Sequence, residues 1–286
     1  MYAVENYKKN IRFCEQYEEI YRFLLKAADR GYNEHFHWAR FEWMMCHSFL
    51  DVDKLTSIAI FRDRTNKIVG LVTFDTSYDD RTYIIHSVSD KELLRAMVEY
   101  VIKYDNAPSV KVNSKDVPLR EVLREYSFAE CDESNCVLEF DLNKNLQYPI
   151  PEGYEISREH FEIDNWKYQL VIHKGFDNDG IPEKWSDELL TPSAHFNGDL
   201  KIFAINASKE YCSHCGIWYS HGETAYIEPV VTVPQCRKIG LAKAVVYEAL
   251  RRVKKSGAKR AIVISDQNFY YRIGFEKSSK YDTWNH

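Results

Sequence analysis

The segment "PQCRKIGLAKAV" places Arg237, Lys238, Gly240 and Lys243 where an apolar β-rich run gives way to a helical pattern. A helix N-terminus carries unpaired backbone N–H groups and the positive end of the macrodipole, so it attracts anions, phosphates above all. Glycine lets a ligand approach the backbone closely. Arginine and lysine add charge that pairs with phosphate oxygens. The run Arg237, Lys238, Ile239, Gly240, Leu241, Ala242 and Lys243 therefore suits a pyrophosphate. Its spacing is neither G-x-x-x-x-G-K-[ST] nor G-x-G-x-x-G, which disfavours nucleoside triphosphates and dinucleotides. Taken alone, R-x-x-G-x-A is a weak pattern, because many solvated helix starts contain these residues.

The elements that must hold this corner follow from periodicity. "TAYIEPVVTV" reads as the incoming strand. Ala242, Val245, Val246, Ala249, Leu250 and Val253 form one apolar stripe at helical period. Basic residues crowd the last turns of that helix and Gly257 follows, as a helix end requires. "RAIVIS" is a further strand, and "NFYYRIGF" comes after it.

The first half repeats this order. A break at "DLNKNLQYPIPEGYEI" divides the chain near residue 148. Helical stretches open each half: "NIRFCEQYEEIYRFLLKAADRGY" and "HFHWARFEWMMCHSFL" before the break, "NWKYQLVIHKGF" and "EKWSDELL" after it. A strand pair follows in each, then "RTYIIHSV" answering "TAYIEPVVTV". Leu94, Met97, Val98, Val101 and Ile102 repeat the helical stripe, and "SVKVNS" answers "RAIVIS". Short strands alternating with helices indicate a mixed α/β sheet in each half. The parallel points to an internal duplication.

Here the chain resembles the GCN5-related N-acetyltransferases. Arg237 to Ala242 is similar to their R/Q-x-x-G-x-G/A cofactor segment, and "NFYYRIGFE" to their Tyr followed four residues later by Gly-Phe. The two signatures stand in the family's order within roughly residues 150–286. The resemblance implies two tandem acyl-CoA N-acyltransferase domains of mixed α/β (α+β) fold, a degenerate one over 1–147 and a catalytic one over 148–286. It implies acetyl-CoA as co-substrate and no metal. Val230, Val231 and Thr232 would bond the pantetheine arm through the backbone, and Arg237 to Lys243 would hold the pyrophosphate. Tyr270 would supply the proton for the leaving thiolate, though as one of 20 tyrosines it has packing as its alternative. Glu228 would act as base, directly or through water; a surface carboxylate or an ammonium anchor are its alternatives. Asn268, with Asp266, falls in the loop that could touch cofactor or substrate.

The first half lacks both signatures. Asp90 and Glu92 stand near its helix start, where they oppose phosphate. Leu123 falls opposite Tyr270 and Ser127 opposite Gly274. This half is expected to have the fold without binding the cofactor.

Bulk properties set the remaining limits. The net charge of -5 over 286 residues argues against a general nucleic-acid binder. No segment has the apolar length of a signal peptide or a membrane span, so cytoplasm is the expected location and no membrane partner is expected. The seven cysteines then read as reduced thiols. The Cys212-x-x-Cys215 pair lacks a second pair to make a zinc site. His173, Trp185 and Trp218 could line an acceptor pocket, but such residues more often belong to the core. The expected activity is direct acetyl transfer to a primary amine, of a small molecule rather than a protein. A non-catalytic acyl-CoA-binding or sensing module is the alternative.

Overall fold

The computed structural model describes residues 2–8, 11–29, 33–47, 50–76, 81–184 and 195–286. It contains two compact units. The first comprises Met1–Leu138, Ile264–Gln267 and Lys277–His286; the second comprises Glu139–Val263 and Asn268–Glu276. The chain thus returns to its first unit at the end, where the sequence reading placed a single boundary near 148.

The first unit runs β1 (Ala3–Asn6), α1 (Glu15–Ala28), α2 (Trp38–Cys46), β2 (Ala59–Arg62), β3 (Ile68–Phe74), β4 (Thr82–His86), α3 (Lys91–Tyr104), β5 (Ser109–Asn113), α4 (Val117–Glu125) and β6 (Ala129–Asp141). Strands β1 to β4 form an antiparallel meander, and β5 joins β4 in parallel. The single helix read from "HFHWARFEWMMCHSFL" is two elements. A 3₁₀ turn over Glu34–Phe36 ends at His37, whose Nδ1 accepts the Ala39 N–H and so starts α2 afresh.

The second unit repeats the order as β7 (Tyr154–Ile156), α5 (Asn165–Gly175), β8 (Lys201–Asn206), β9 (Tyr211–Trp218), β10 (Thr224–Thr232), α6 (Leu241–Lys255), β11 (Arg260–Ile264) and α7 (Asn268–Arg272). Strands β7 to β10 are antiparallel neighbours, and β11 joins β10 in parallel. The helix expected from "EKWSDELL", with Trp185, lies almost wholly outside the described residues. Cys212 and Cys215 both sit on β9 as buried free thiols. No cluster of metal-ligating side chains occurs among the described residues. No helix among them is long and apolar enough to cross a membrane.

The last strand, β12 (Glu276–Asn285), pairs with β5 from Tyr281↔Asn113 to Asn285↔Ser109. Its Trp284 joins Leu94, Met97, Val98 and Val101 of α3 in the core of the first unit. The predicted stripe of α3 is thereby buried, with Ile102 at its margin. On α6, Val245, Val246, Ala249, Leu250 and Val253 are buried in the same way.

The repeated short helices end alike. Phe128 N–H donates to Leu123 O and Phe275 N–H to Tyr270 O, each at 3.0 Å. The residues before them, Ser127 and Gly274, both take positive φ. These matched caps support the alignment of Leu123 with Tyr270.

The helix after the parallel fork differs between the units. In the first, Asp90 Oδ1 accepts the N–H groups of Glu92 (2.7 Å) and Leu93 (3.3 Å). The carboxylate therefore occupies the anion position at the start of α3. The β4–β5 fork beside it is spanned by the chain's own side chains. His86 Nε2 contacts Asp116 Oδ2 at 2.6 Å, and Asn33 Nδ2 donates to His86 O at 2.9 Å.

Replacing Asp90 by alanine should destabilise the first unit by about 1 kcal/mol, the usual value of an N-cap. A bond from Tyr2, with the two amides, holds the Asp90 carboxyl below its ordinary range. A depressed folded-state pKa stabilises above the unfolded value, about 3.9, and that contribution disappears as pH falls through the folded value. The melting-temperature difference between wild type and Asp90→Ala should therefore be full near neutrality and vanish in acid.

Candidate functional site

Two strands that start in parallel and then part create the site in the second unit. β10 and β11 pair from Thr224↔Arg260 to Tyr226↔Ile262 and no further. Beyond that point β10 stays on β9, but its register shifts between Ile227 and Val230. Glu228 and Pro229, joined by a cis peptide, stand opposite the single residue Gly216. A bulge of this kind bends and twists its strand and ends regular pairing on the far edge.

Gly216 is required by this arrangement. A Cβ there would lie 2.5 Å from Glu228 O, inside any tolerable contact. Trp218 Nε1 donates to the same carbonyl at 3.0 Å. Gly175, at the end of α5, is equally constrained, since its Cβ would lie 2.5 Å from Val231 Cβ. The sequence reading missed Gly216, although a glycine inside a strand pattern is itself a signal of a bulge or close backbone approach.

Past the bulge, alternation decides which peptide groups remain available. Val233 N–H donates to Cys212 O at 3.0 Å, so Val231, two residues earlier, also turns its peptide groups to β9. Val230 and Thr232 consequently face the edge that β11 has left. Among the three residues read as a pantetheine strand, these two turn their peptide groups to that edge, where Thr232 O accepts from Arg237 Nε. Val231 instead packs its side chain against Gly175.

The anion corner follows. A 3₁₀ turn over Pro234–Cys236 leads to Gly240, which caps α6 with φ +100° and no side-chain acceptor. Lys238 also takes positive φ, at 64°. Alternating left- and right-handed residues of this kind turn successive N–H groups inward as a concave anion-binding nest. Among the described residues, the N–H groups of Lys238, Ile239, Gly240, Leu241, Ala242 and Lys243 donate to no protein acceptor. Lys238, Ile239 and Gly240 are exposed. Lys243 extends along α6, with Nζ 4.9 Å from the Tyr247 ring centre.

Arg237 behaves differently from the sequence expectation. Its Nε donates to Thr232 O (2.9 Å), and one terminal nitrogen donates to Gly175 O (2.9 Å) and Asp177 Oδ2 (3.0 Å). The guanidinium brackets the corner to β10 and the end of α5. Its backbone N–H is likewise used, by Pro234 O at 3.2 Å.

Tyr270 lies on α7 with 7% of its surface exposed. Burial, then the Cys215 thiol and the Glu228 carboxylate, push its phenol well above the ordinary value. The hydroxyl is therefore protonated at neutral pH, as a proton donor must be. The Glu228 carboxylate and the Tyr270 phenol, the two predicted catalytic groups, thus share one electrostatic neighbourhood. Glu228 is half-buried, and Tyr226 Oη donates to its Oε2 at 2.5 Å. Asn268 is exposed at the start of α7. His173 is turned to the surface, its Nε2 2.9 Å from Asp179 O.

A parallel fork opened by a bulge, an uncapped helix start and a buried tyrosine thus lie within one unit of the chain. Residues 162–275 match the acetyltransferase (GNAT) family. Likeness of fold to solved structures covers both units. A GCN5-related N-acetyltransferase from Sphaerobacter thermophilus aligns with TM-score 0.57 at 13% identity, covering 100% of this chain and 95% of that one. A tandem GNAT protein from the clavulanic acid biosynthesis pathway aligns with TM-score 0.58 at 11% identity, over 100% and 98% of the two chains. Saccharomyces cerevisiae N-myristoyltransferase aligns with TM-score 0.56 at 10% identity, over 99% and 79%. No curated protein matches by sequence.

Gly216→Ala should displace the bulge or strain the strand pair. A loss of roughly 1–3 kcal/mol is the expected magnitude for overpacking a buried position. Denaturant unfolding checks it; wild-type stability in this variant would mean that the close approach is not a constraint.

Proposed function

We propose that the protein is an N-acetyltransferase that moves the acetyl group of acetyl-CoA to a primary amine, of a small molecule, in a direct ternary complex. Support comes from one observation above the rest: the open edge of β10 leads directly to the amides of Lys238 to Lys243, which donate to no protein acceptor among the described residues, and Glu228 on that strand acts electrostatically on the buried phenol of Tyr270 on α7. The pantetheine lies along Val230 and Thr232 as an added strand. Val231 shapes that edge from behind. The pyrophosphate rests on the amides of 238–243, with Lys238 and Lys243 adding charge and Arg237 keeping the corner in place. Asn268 borders the cofactor from α7.

Acyl transfer from a thioester needs an uncharged amine, alignment and a proton for the leaving group. Glu228 takes the amine proton, directly or through water, as nitrogen attacks the thioester carbon. The tetrahedral intermediate then expels the thiolate, and Tyr270 gives that sulfur its proton. The carbon–sulfur bond breaks as the amide forms, and solvent resets both side chains. Nothing covalent is left on the protein, and no metal takes part. The reaction belongs to the cytoplasm, where acetyl-CoA is made available to a soluble enzyme.

The first unit takes no acetyl-CoA in this reading. Asp90 fills its helix start, and Asn33, His86 and Asp116 span its fork. Calorimetry should therefore give one acetyl-CoA per chain. Gly240→Glu should abolish that binding. The nearest atom to a Cβ at this position is Pro151 Cγ at 4.0 Å, but φ of +100° strains any side chain there, so a melting curve that matches wild type must accompany the lost binding. Tyr270→Phe should keep binding and lower thiol release across a panel of small primary amines by roughly 10²-fold. Two bound acetyl-CoA per chain, or undiminished binding by Gly240→Glu, would refute the placement. Binding without transfer to any amine would favour a sensing module instead.

A further inference from the structure

Tyr226 precedes Glu228 by two residues on β10, and its ring is 2% exposed. Its hydroxyl reaches Glu228 Oε2 at 2.5 Å. The backbone of Glu228 is fixed separately, by the Trp218 indole N–H on its carbonyl at 3.0 Å and by the absence of a side chain at Gly216. Main chain and carboxylate of one residue are thus each held by a buried aromatic donor.

We propose that Tyr226 is a positioning residue for acyl transfer, setting the Glu228 carboxylate in the orientation that receives the acceptor's proton. This rests on the acetyltransferase reading above. A glutamate on a half-buried bulge has several rotatable bonds, and freezing them during the reaction costs entropy. A hydrogen bond to an ionised acceptor is shorter and stronger than a neutral one. Donated from a ring already fixed in the core, it orders the carboxylate before the amine arrives. A carboxylate offers about four lone-pair sites, so accepting from Tyr226 leaves it able to take a proton. The indole contact does the same for the peptide, keeping the bulge from sliding along Gly216.

Tyr226→Phe keeps the ring and removes only the donor. With acetyl-CoA and the panel of small primary amines, kcat should fall about tenfold, with the acetyl-CoA dissociation constant and melting temperature unchanged. Glu228→Gln should lose roughly 10²-fold, and the double variant should be no slower than Glu228→Gln alone. Unchanged kcat in Tyr226→Phe, or losses that multiply in the double variant, would overturn the proposal. A second measurement is independent of turnover. The carboxyl ¹³C resonance of Glu228, assigned by its disappearance in Glu228→Gln, should move in Tyr226→Phe. A resonance that stays in place refutes the contact. Wild-type protein that binds acetyl-CoA but acylates no amine removes the base and Tyr226's role with it. Wild-type protein that binds no acetyl-CoA refutes the parent reading instead.

Discussion

Two residues set opposite one cannot continue a ladder on both edges of a strand. That misfit, Glu228 and Pro229 against Gly216, is the constraint on which the second unit is organised. It holds β10 to β9 on one side and releases it from β11 on the other. Unpaired strand edges are ordinarily a liability, because their N–H and C=O groups seek a partner. Inside a unit otherwise paired across its sheet, such an edge is a receptor for another extended chain.

The two units differ in how the helix after the fork is capped. Both place a helix directly after the strand that opens the fork. At α3 the cap is Asp90, whose carboxylate takes the orphan amides itself. At α6 the cap is Gly240, which has nothing to offer them. Capping by aspartate stabilises the helix locally, and capping by glycine leaves donors unsatisfied until an anion arrives. Local stability and anion affinity therefore compete for the same N–H groups. The fork follows suit: in the first unit His86 and Asp116 occupy it, while in the second β10 and β11 pair only from Thr224↔Arg260 to Tyr226↔Ile262.

The features legible in the sequence were those whose physics is local. Helical stripes in α3 and α6, the basic glycine corner and the Tyr270-to-Gly274 turn each depend on residues within a few positions of one another. Ser127 and Gly274 share positive φ although only one is glycine, and the shared Phe that follows them betrays the repeat. Long-range features stayed hidden. β12 carries Lys, Ser and Asp between its aromatics, so its alternation is weak, and its pairing with β5 spans most of the chain. Gly216 was visible as a letter, but its meaning depends on a carbonyl on the next strand. Tyr226 was one tyrosine among many until its hydroxyl could be seen against Glu228.

Arg237 illustrates the limit most sharply. A chain of net charge -5 concentrates cations at this corner, and the simplest explanation was that all of them meet phosphate. The guanidinium instead binds two carbonyls and a carboxylate on the protein. Its planar fork is well suited to several acceptors at once, and that geometry is as useful for fixing a loop as for holding a ligand. A nest of amides attracts an anion only if its N–H groups stay convergent, and two residues at positive φ give this loop a conformation that needs external support. Tying the loop to Thr232 and Gly175 joins the anion corner to the strand that carries the open edge. The arginine thus holds two backbone surfaces together, and in the proposed reading the charge offered directly to a phosphate falls to Lys238, Lys243 and the helix itself.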